Sequence, residues 1–210
     1  MRMMEDKTYY FEENKPENTN VTLNLVKKKA LEKNIKYVVI ASTLGDTGVK
    51  AAEAFKDSGI NVVVVTHPYG PKGSRVLGEN EKKMKALGAK IVTCGFAFGG
   101  VSASLRRTPP TEPGQPLPTP YWPAYVPAMG DLIANVLRLF CQGMKVCFEI
   151  TVMAADAGAV PVGENVIAVG GQSRGANTAI VIKATNTTTF FDLDVQEIIA
   201  KPIKKTLPTL

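Results

Sequence analysis

Ser42, Thr43, Gly45, Asp46, Thr47 and Gly48 fall within a single short stretch, STLGDTG, in which only Leu44 is apolar. Hydroxyls and glycines let several backbone N–H groups converge on one spot. At the start of a helix the positive end of its dipole adds to them, and the combination suits a phosphate or carboxylate. The same residue types also serve ordinary helix capping, so the loop is open to a cap without a ligand. A second group is Gly170, Gly171, Ser173, Arg174 and Gly175 in GGQSRG. It reads either as a permissive turn or as an anion site with an arginine fork at its tip. His67 is the only histidine. It could be an acid, a base or a ligand contact, or simply a solvated loop residue. Cys94 has nothing nearby in sequence to activate its thiol. Glu149 and Asp156, seven residues apart, share a helix face without an assignable partner. No nucleophilic triad and no carboxylate pair is placed by spacing, so the residues define a binding site before they define a reaction.

The apolar run 38–41 reads as a strand buried on both faces, 37–41. After the loop, Gly48, Ala51, Ala52 and Phe55 recur at helical spacing with Lys50, Glu53 and Asp57 opposite, and Gly59 offers a C-cap. A strand at 61–66 completes a βαβ unit, whose crossover should be right-handed. A loop at 67–78, a helix at 79–87 capped by Gly88 and a strand at 90–93 continue the alternation. Upstream, a helix over 21–33 can be capped by Asn18, Thr19 or Asn20. Downstream, Asp131 caps a helix to about 142. Gly143 separates it from 144–157, read as a helix although its β-branched residues also suit a strand. Strands at 165–169 and 178–184 form an antiparallel hairpin at the sheet edge, and Phe190, Phe191 and Ile198 dock the tail before it frays after Pro202. The expected fold is α/β, a three-layer α/β/α sandwich with a mostly parallel sheet and an antiparallel C-terminal hairpin, as a single domain over 1–210. In open sheets of this kind ligands bind beyond the carboxyl ends of the strands, where the 42–48 loop and His67 must lie.

Composition narrows the partners. The chain has 210 residues, 45% hydrophobic, with no apolar run long enough for a membrane span. Its first residues lack the features of a secretory signal, so the expectation is a cytoplasmic protein without a membrane partner. Three cysteines without CxxC spacing and one histidine leave neither a disulfide framework nor a zinc set, and no metal is expected. The net charge of +6 comes from lysines scattered among acids, and the KKK run at 27–29 reads as a solvated helix face. Nucleic acid is therefore disfavoured and an anionic small molecule fits. Between 95 and 128 the alternation breaks. Eight of the fourteen prolines fall within 108–127, and the segment reads as an insert, either a lid or a surface excursion, carrying Tyr121, Trp122 and Tyr125.

The blocks STLGDTG, CFEITVMAADAG and AVGGQSRGANTAIVIKA, with the order of elements, resemble the C-terminal α/β domain of pyruvate kinase and a small stand-alone family with that fold. The likeness spans the chain except for the proline-rich insert, which the family pattern lacks. It implies no kinase activity, because catalysis in pyruvate kinase belongs to a barrel domain that this chain has no room for. It also implies that the loop after the first strand and the glycine-rich turn hold phosphate. Arg174 is carried over only as a candidate, since the turn differs in length. Separately, the 42–47 loop is similar to the flavodoxin phosphate loop, departing at Leu44, and this similarity implies flavin mononucleotide (FMN), with a sugar phosphate or nucleotide behind it. Asp46 must then turn its carboxylate away from the phosphate. Homo-oligomerisation is expected from the same resemblance. The alternative to a ligand-binding protein or enzyme is a non-catalytic effector-sensing or scaffold domain.

Overall fold

Val38, Val39 and Ile40 are all fully buried, as a strand covered on both faces requires. They form β2 (Tyr37–Ala41) in a computed structural model that describes residue 3 and residues 5–69, 77–100, 129–172 and 175–204. The remaining elements are β1 (Tyr9–Phe11), α1 (Asn18–Glu32), α2 (Asp46–Phe55), β3 (Asn61–Thr66), α3 (Glu79–Ala86) and β4 (Lys90–Thr93). After these come α4 (Met129–Leu137), α5 (Gln142–Asp156), β5 (Asn165–Gly170), β6 (Thr178–Lys183), a 3-10 helix (Thr187–Asp192) and β7 (Asp194–Pro202).

The strands form one seven-stranded sheet in the order β1-β7-β6-β5-β2-β3-β4. β2 pairs in parallel with both β3 and β5, and β3 with β4. β6 is antiparallel to both its neighbours, and β1 closes the far edge in parallel with β7. Alternate residues divide the core between two faces. On one, Leu23, Ala51, Phe55 and Met84 from α1, α2 and α3 meet Val38, Ile40, Val64 and Ile167. On the other, Met144, Cys147 and Ile150 of α5 meet Val39, Val63, Ala168 and Ile180. The architecture is a three-layer α/β/α sandwich with a mostly parallel sheet. Among the described residues no helix is long and apolar enough to cross a membrane.

Three strands and the first two βα units have the expected bounds or nearly so, and the differences have local causes. Helix α2 stops at Phe55 instead of running to Gly59, because Asp57 and Gly59 both adopt positive φ in the turn that follows. Helix α1 starts at Asn18, so Asn18 is its first residue and donates from Nδ2 to the Glu13 carbonyl. The break between the two later helices falls at 138–141, and Gly143 lies inside the first turn of α5. Cys141 caps that helix, its Sγ accepting from the Met144 N–H at 3.3 Å. The hairpin is central, since β7 and β1 extend the sheet beyond it. Ile198 is partly buried in the core and Phe190 packs edge-on against Phe98, while Phe191 is 85% exposed and meets Phe190 at its ring edge. Phe98, within the expected insert, is buried. Residues 101–128, with Tyr121, Trp122 and Tyr125, lie outside the described residues.

Lys29 also departs from expectation. It is buried, pairing with Asp6 and, at 3.1 Å, with Glu197 of β7, while Lys33 pairs with Glu197 as well. The hydrogen bond from Lys29 holds the Asp6 carboxyl down at about 2. A carboxyl depressed on folding stabilises above its ordinary pKa, and the contribution fades as pH falls from there toward about 2. Lys29→Met should lower stability by about 1–3 kcal/mol, because Glu197 keeps Lys33 as a partner. Asp6→Asn should cost less than about 1 kcal/mol, its side chain being half exposed. Urea unfolding of the two variants checks the order.

Candidate functional site

The backbone leaves the carboxyl end of β2 through Ser42, whose N–H donates to the Val65 carbonyl of β3 at 3.0 Å. Ser42 is buried, and its Oγ accepts from the Gly48 N–H at 3.1 Å. It therefore serves the helix as a cap reaching back over the loop. The N-cap position itself is Gly45, at φ +93°, with a Cβ-sized space blocked by Asn80 of α3 at 2.6 Å. Asn80 Nδ2 donates to the Leu44 carbonyl at 3.0 Å and to Asp46 Oδ1 at 3.1 Å. The Asp46 carboxylate is thereby held toward α3. With Gly48 satisfied by Ser42 and Val49 by the Gly45 carbonyl, the N–H groups of Asp46 and Thr47 are first-turn donors without an intrahelical acceptor.

Thr43 Oγ1 lies 3.2 Å from His67 Nε2, and the Thr43 carbonyl accepts from Thr66 Oγ1 at 3.2 Å. His67 sits just past β3, edge-on to Phe96 with ring centroids 4.9 Å apart. Burial lowers its pKa; the Glu149 charge opposes this and the Lys145 charge reinforces it. The imidazole is thus biased toward its neutral form.

These groups border a cleft of about 1120 Å³ at the carboxyl edge of the sheet. Ser42, Thr43, Asp46, Thr47, His67, Gly171 and Gly175 line it. Gly45, Gly48 and Gly170 do not line it, and their glycines answer to packing. A Cβ on Gly48 would stand 2.4 Å from Met84 Sδ, and one on Gly170 would stand 2.7 Å from the Gly143 carbonyl oxygen of α5. Gly175, at φ +100°, packs on α1, where the Thr19 hydroxyl takes the Ala176 N–H at 3.0 Å. Ser173 and Arg174 lie outside the described residues.

Of the opposite wall, Glu149 alone is singled out in the sequence. Gln142, Lys145 and Glu149, at i, i+3 and i+7 along α5, line the cleft together with Arg138 from the turn between α4 and α5. The signal for the α5 residues is a polar stripe along an otherwise apolar helix. A break placed at Gly143, inside the first turn of α5, separates Gln142 from Lys145 and Glu149. Glu149 is 4% exposed, accepts from the Phe98 N–H at 3.2 Å and pairs with Lys145, whose ammonium also lies over the Phe98 ring. Asp156, by contrast, is exposed at the far end of the helix and accepts from the Thr187 N–H at 3.0 Å. The two acids share a helix but not an environment. Burial pushes the Cys94 thiol up, helped by the Asp156 and Glu149 charges, which disfavours the thiolate. Among the described residues no cluster of His, Cys, Asp and Glu could hold a metal ion. No protein-family model matches the chain.

As the sole histidine, His67 gives one resolved imidazole signal, and its NMR titration midpoint should fall below 6.5. Glu149→Gln should lower the midpoint further and Lys145→Met should raise it. A wild-type midpoint above 6.5 would contradict the burial described here. Because the folded pKa is depressed, this group's contribution to stability is present above about 6.5 and is lost as pH falls through the folded midpoint.

Proposed function

We propose that the protein binds a phosphate-bearing small molecule in the cleft at the carboxyl edge of the sheet, as a member of the stand-alone pyruvate kinase C-terminal-like family. The observation that carries this reading is the convergence on one cleft of the Ser42–Thr47 loop, the free first-turn amides of α2, and His67. The donors suit a phosphate without a basic side chain. The cleft lies in the crevice where β2 and β5 send the chain in different directions, the place ligands take in open α/β sheets. Asp46 is compatible with an anion because Asn80 holds its carboxylate.

FMN is the first specific candidate, with a sugar phosphate or nucleotide behind it. The volume is ample for a ligand of that size, and Phe96 and Phe98 offer apolar surface to a ring. In that case the isoalloxazine supplies the redox chemistry, while the chain supplies the phosphate anchor and the electrostatics. A second reading is an effector-sensing domain without catalysis acting through a homo-oligomer, and the groups His67 meets bear on its first part. The described partners of His67 are Thr43 and Phe96, with no carboxylate on the ring to make it the base of a triad.

The visible absorbance spectrum of the purified protein, before and after addition of FMN and desalting, tests the first reading. A retained flavin band is expected, with Thr47→Val weakening binding by about tenfold through loss of one hydroxyl donor to the phosphate. Neither a band nor uptake would remove FMN and send the search to other phosphorylated metabolites. Ligand-dependent assembly in sedimentation, without turnover, would favour the sensor.

A further inference from the structure

The cleft wall opposite the 42–47 loop holds a cation that forms no ion pair among the described residues. Arg138 donates from Nε to Gln142 Oε1 and from Nη1 to Asn135 Oδ1, both at 2.8 Å. Both partners are neutral amides, so they fix the guanidinium in place without neutralising it. The other cleft cations differ from it: Lys145 is spent on Glu149, and Lys50 stands exposed on α2. Of the cleft acids, Glu149 is held by Lys145 and Phe98 and Asp46 by Asn80, while Asp131, on the same wall, is not among the partners of Arg138. Two of the five guanidinium N–H groups are in use, and those remaining lie on Nη1 and Nη2. That pair of nitrogens forms an edge matched to two oxygens in one plane. Ala134, Val146 and Phe98 border the same cleft and lower the competition from water.

We propose that Arg138 is a carboxylate-binding residue, and that the cleft takes a carboxylate-bearing small molecule at this wall in addition to the phosphate at the 42–47 loop. The inference rests on the reading of this cleft as a ligand site and not on which phosphate compound the loop accepts. The chemistry favours a carboxylate over a phosphate here because one bidentate edge satisfies a planar group. A tetrahedral phosphate finds its several donors at the start of α2 instead.

The test is modification of arginine by phenylglyoxal in the intact protein, followed at Arg138 by peptide mass spectrometry. Three protectants of comparable size serve as probes: succinate, glycerol 3-phosphate, and 3-phosphoglycerate, which carries both groups. Succinate and 3-phosphoglycerate should slow modification of Arg138 by about tenfold, and glycerol 3-phosphate should not. The same succinate protection should persist in Thr47→Val, whose hydroxyl belongs to the other wall. Arg138→Gln should abolish the tighter binding of 3-phosphoglycerate over glycerol 3-phosphate measured by calorimetry. Equal protection by glycerol 3-phosphate would assign Arg138 to phosphate and overturn the proposal. Protection by none of the three would overturn it as well. Loss of phosphate binding with succinate protection intact would sink the phosphate reading alone.

Discussion

The cleft depends on how closely α5 lies against the ends of β5 and β6. A Cβ on Gly143 would fall 2.1 Å from Thr178 Oγ1, and one on Gly170 would fall 2.7 Å from the Gly143 carbonyl oxygen. Helix and sheet therefore meet backbone to backbone at this corner, an approach only glycine permits. Cys141 fixes the start of the helix there, accepting the Met144 N–H and lying 3.4 Å from Thr178 Oγ1. With its first turn so placed, the buried side of α5 fills the core with Met144, Cys147 and Ile150. The stripe from Gln142 through Lys145 to Glu149 then borders the space beyond β2 and β3. One packing constraint thus sets both the stability of the second core and the polarity of the cleft wall.

The two walls of the cleft reach their polarity by different means. On the α2 side the donors are backbone N–H groups and hydroxyls, and the nearest acid is held by Asn80. On the α5 side they are charged side chains, one of them in a buried ion pair. Taking Lys145 and Glu149 out of water is costly unless hydrogen bonds complete the pair, and the Phe98 N–H supplies one. That bond also ties residues 97–99 to the helix, so the pair organises backbone as well as charge. His67 stands where both fields meet, which is why its protonation answers to Glu149 and Lys145 on a different element.

Much of this architecture was legible in the residues. The run at 38–41, the NVVVVT strand and the glycine at 88 fixed the first βα units because a doubly buried strand and a left-handed helix stop leave plain local marks. Gly88 shows the second of these, at φ +82° with the Ala89 N–H bonded back to the Met84 carbonyl. The loop and His67 lie beside the cleft for the same reason, since both follow the ends of such strands. What escaped was non-local. β1 has only three residues and gains its partner from the far end of the chain, with Tyr9 paired to Ala200. Lys29 sits in a KKK run that looks solvated until Asp6 and Glu197 are brought to it. Gly143 was read as a helix break because glycine in isolation breaks helices, while here its missing side chain is what Thr178 requires. Gly48 and Gly170, counted as ligand contacts, share that packing role.

The central claim is that the α2 wall of this cleft receives a phosphate. Amide chemical-shift mapping by two-dimensional NMR during titration with FMN, and with inorganic phosphate as the bare anion, tests it most directly. The account predicts the largest shifts at Asp46, Thr47 and His67, with none in the salt-bridged region of Asp6, Lys29 and Glu197. Shifts spread over the exposed lysines, or confined to that salt-bridged region, would contradict it.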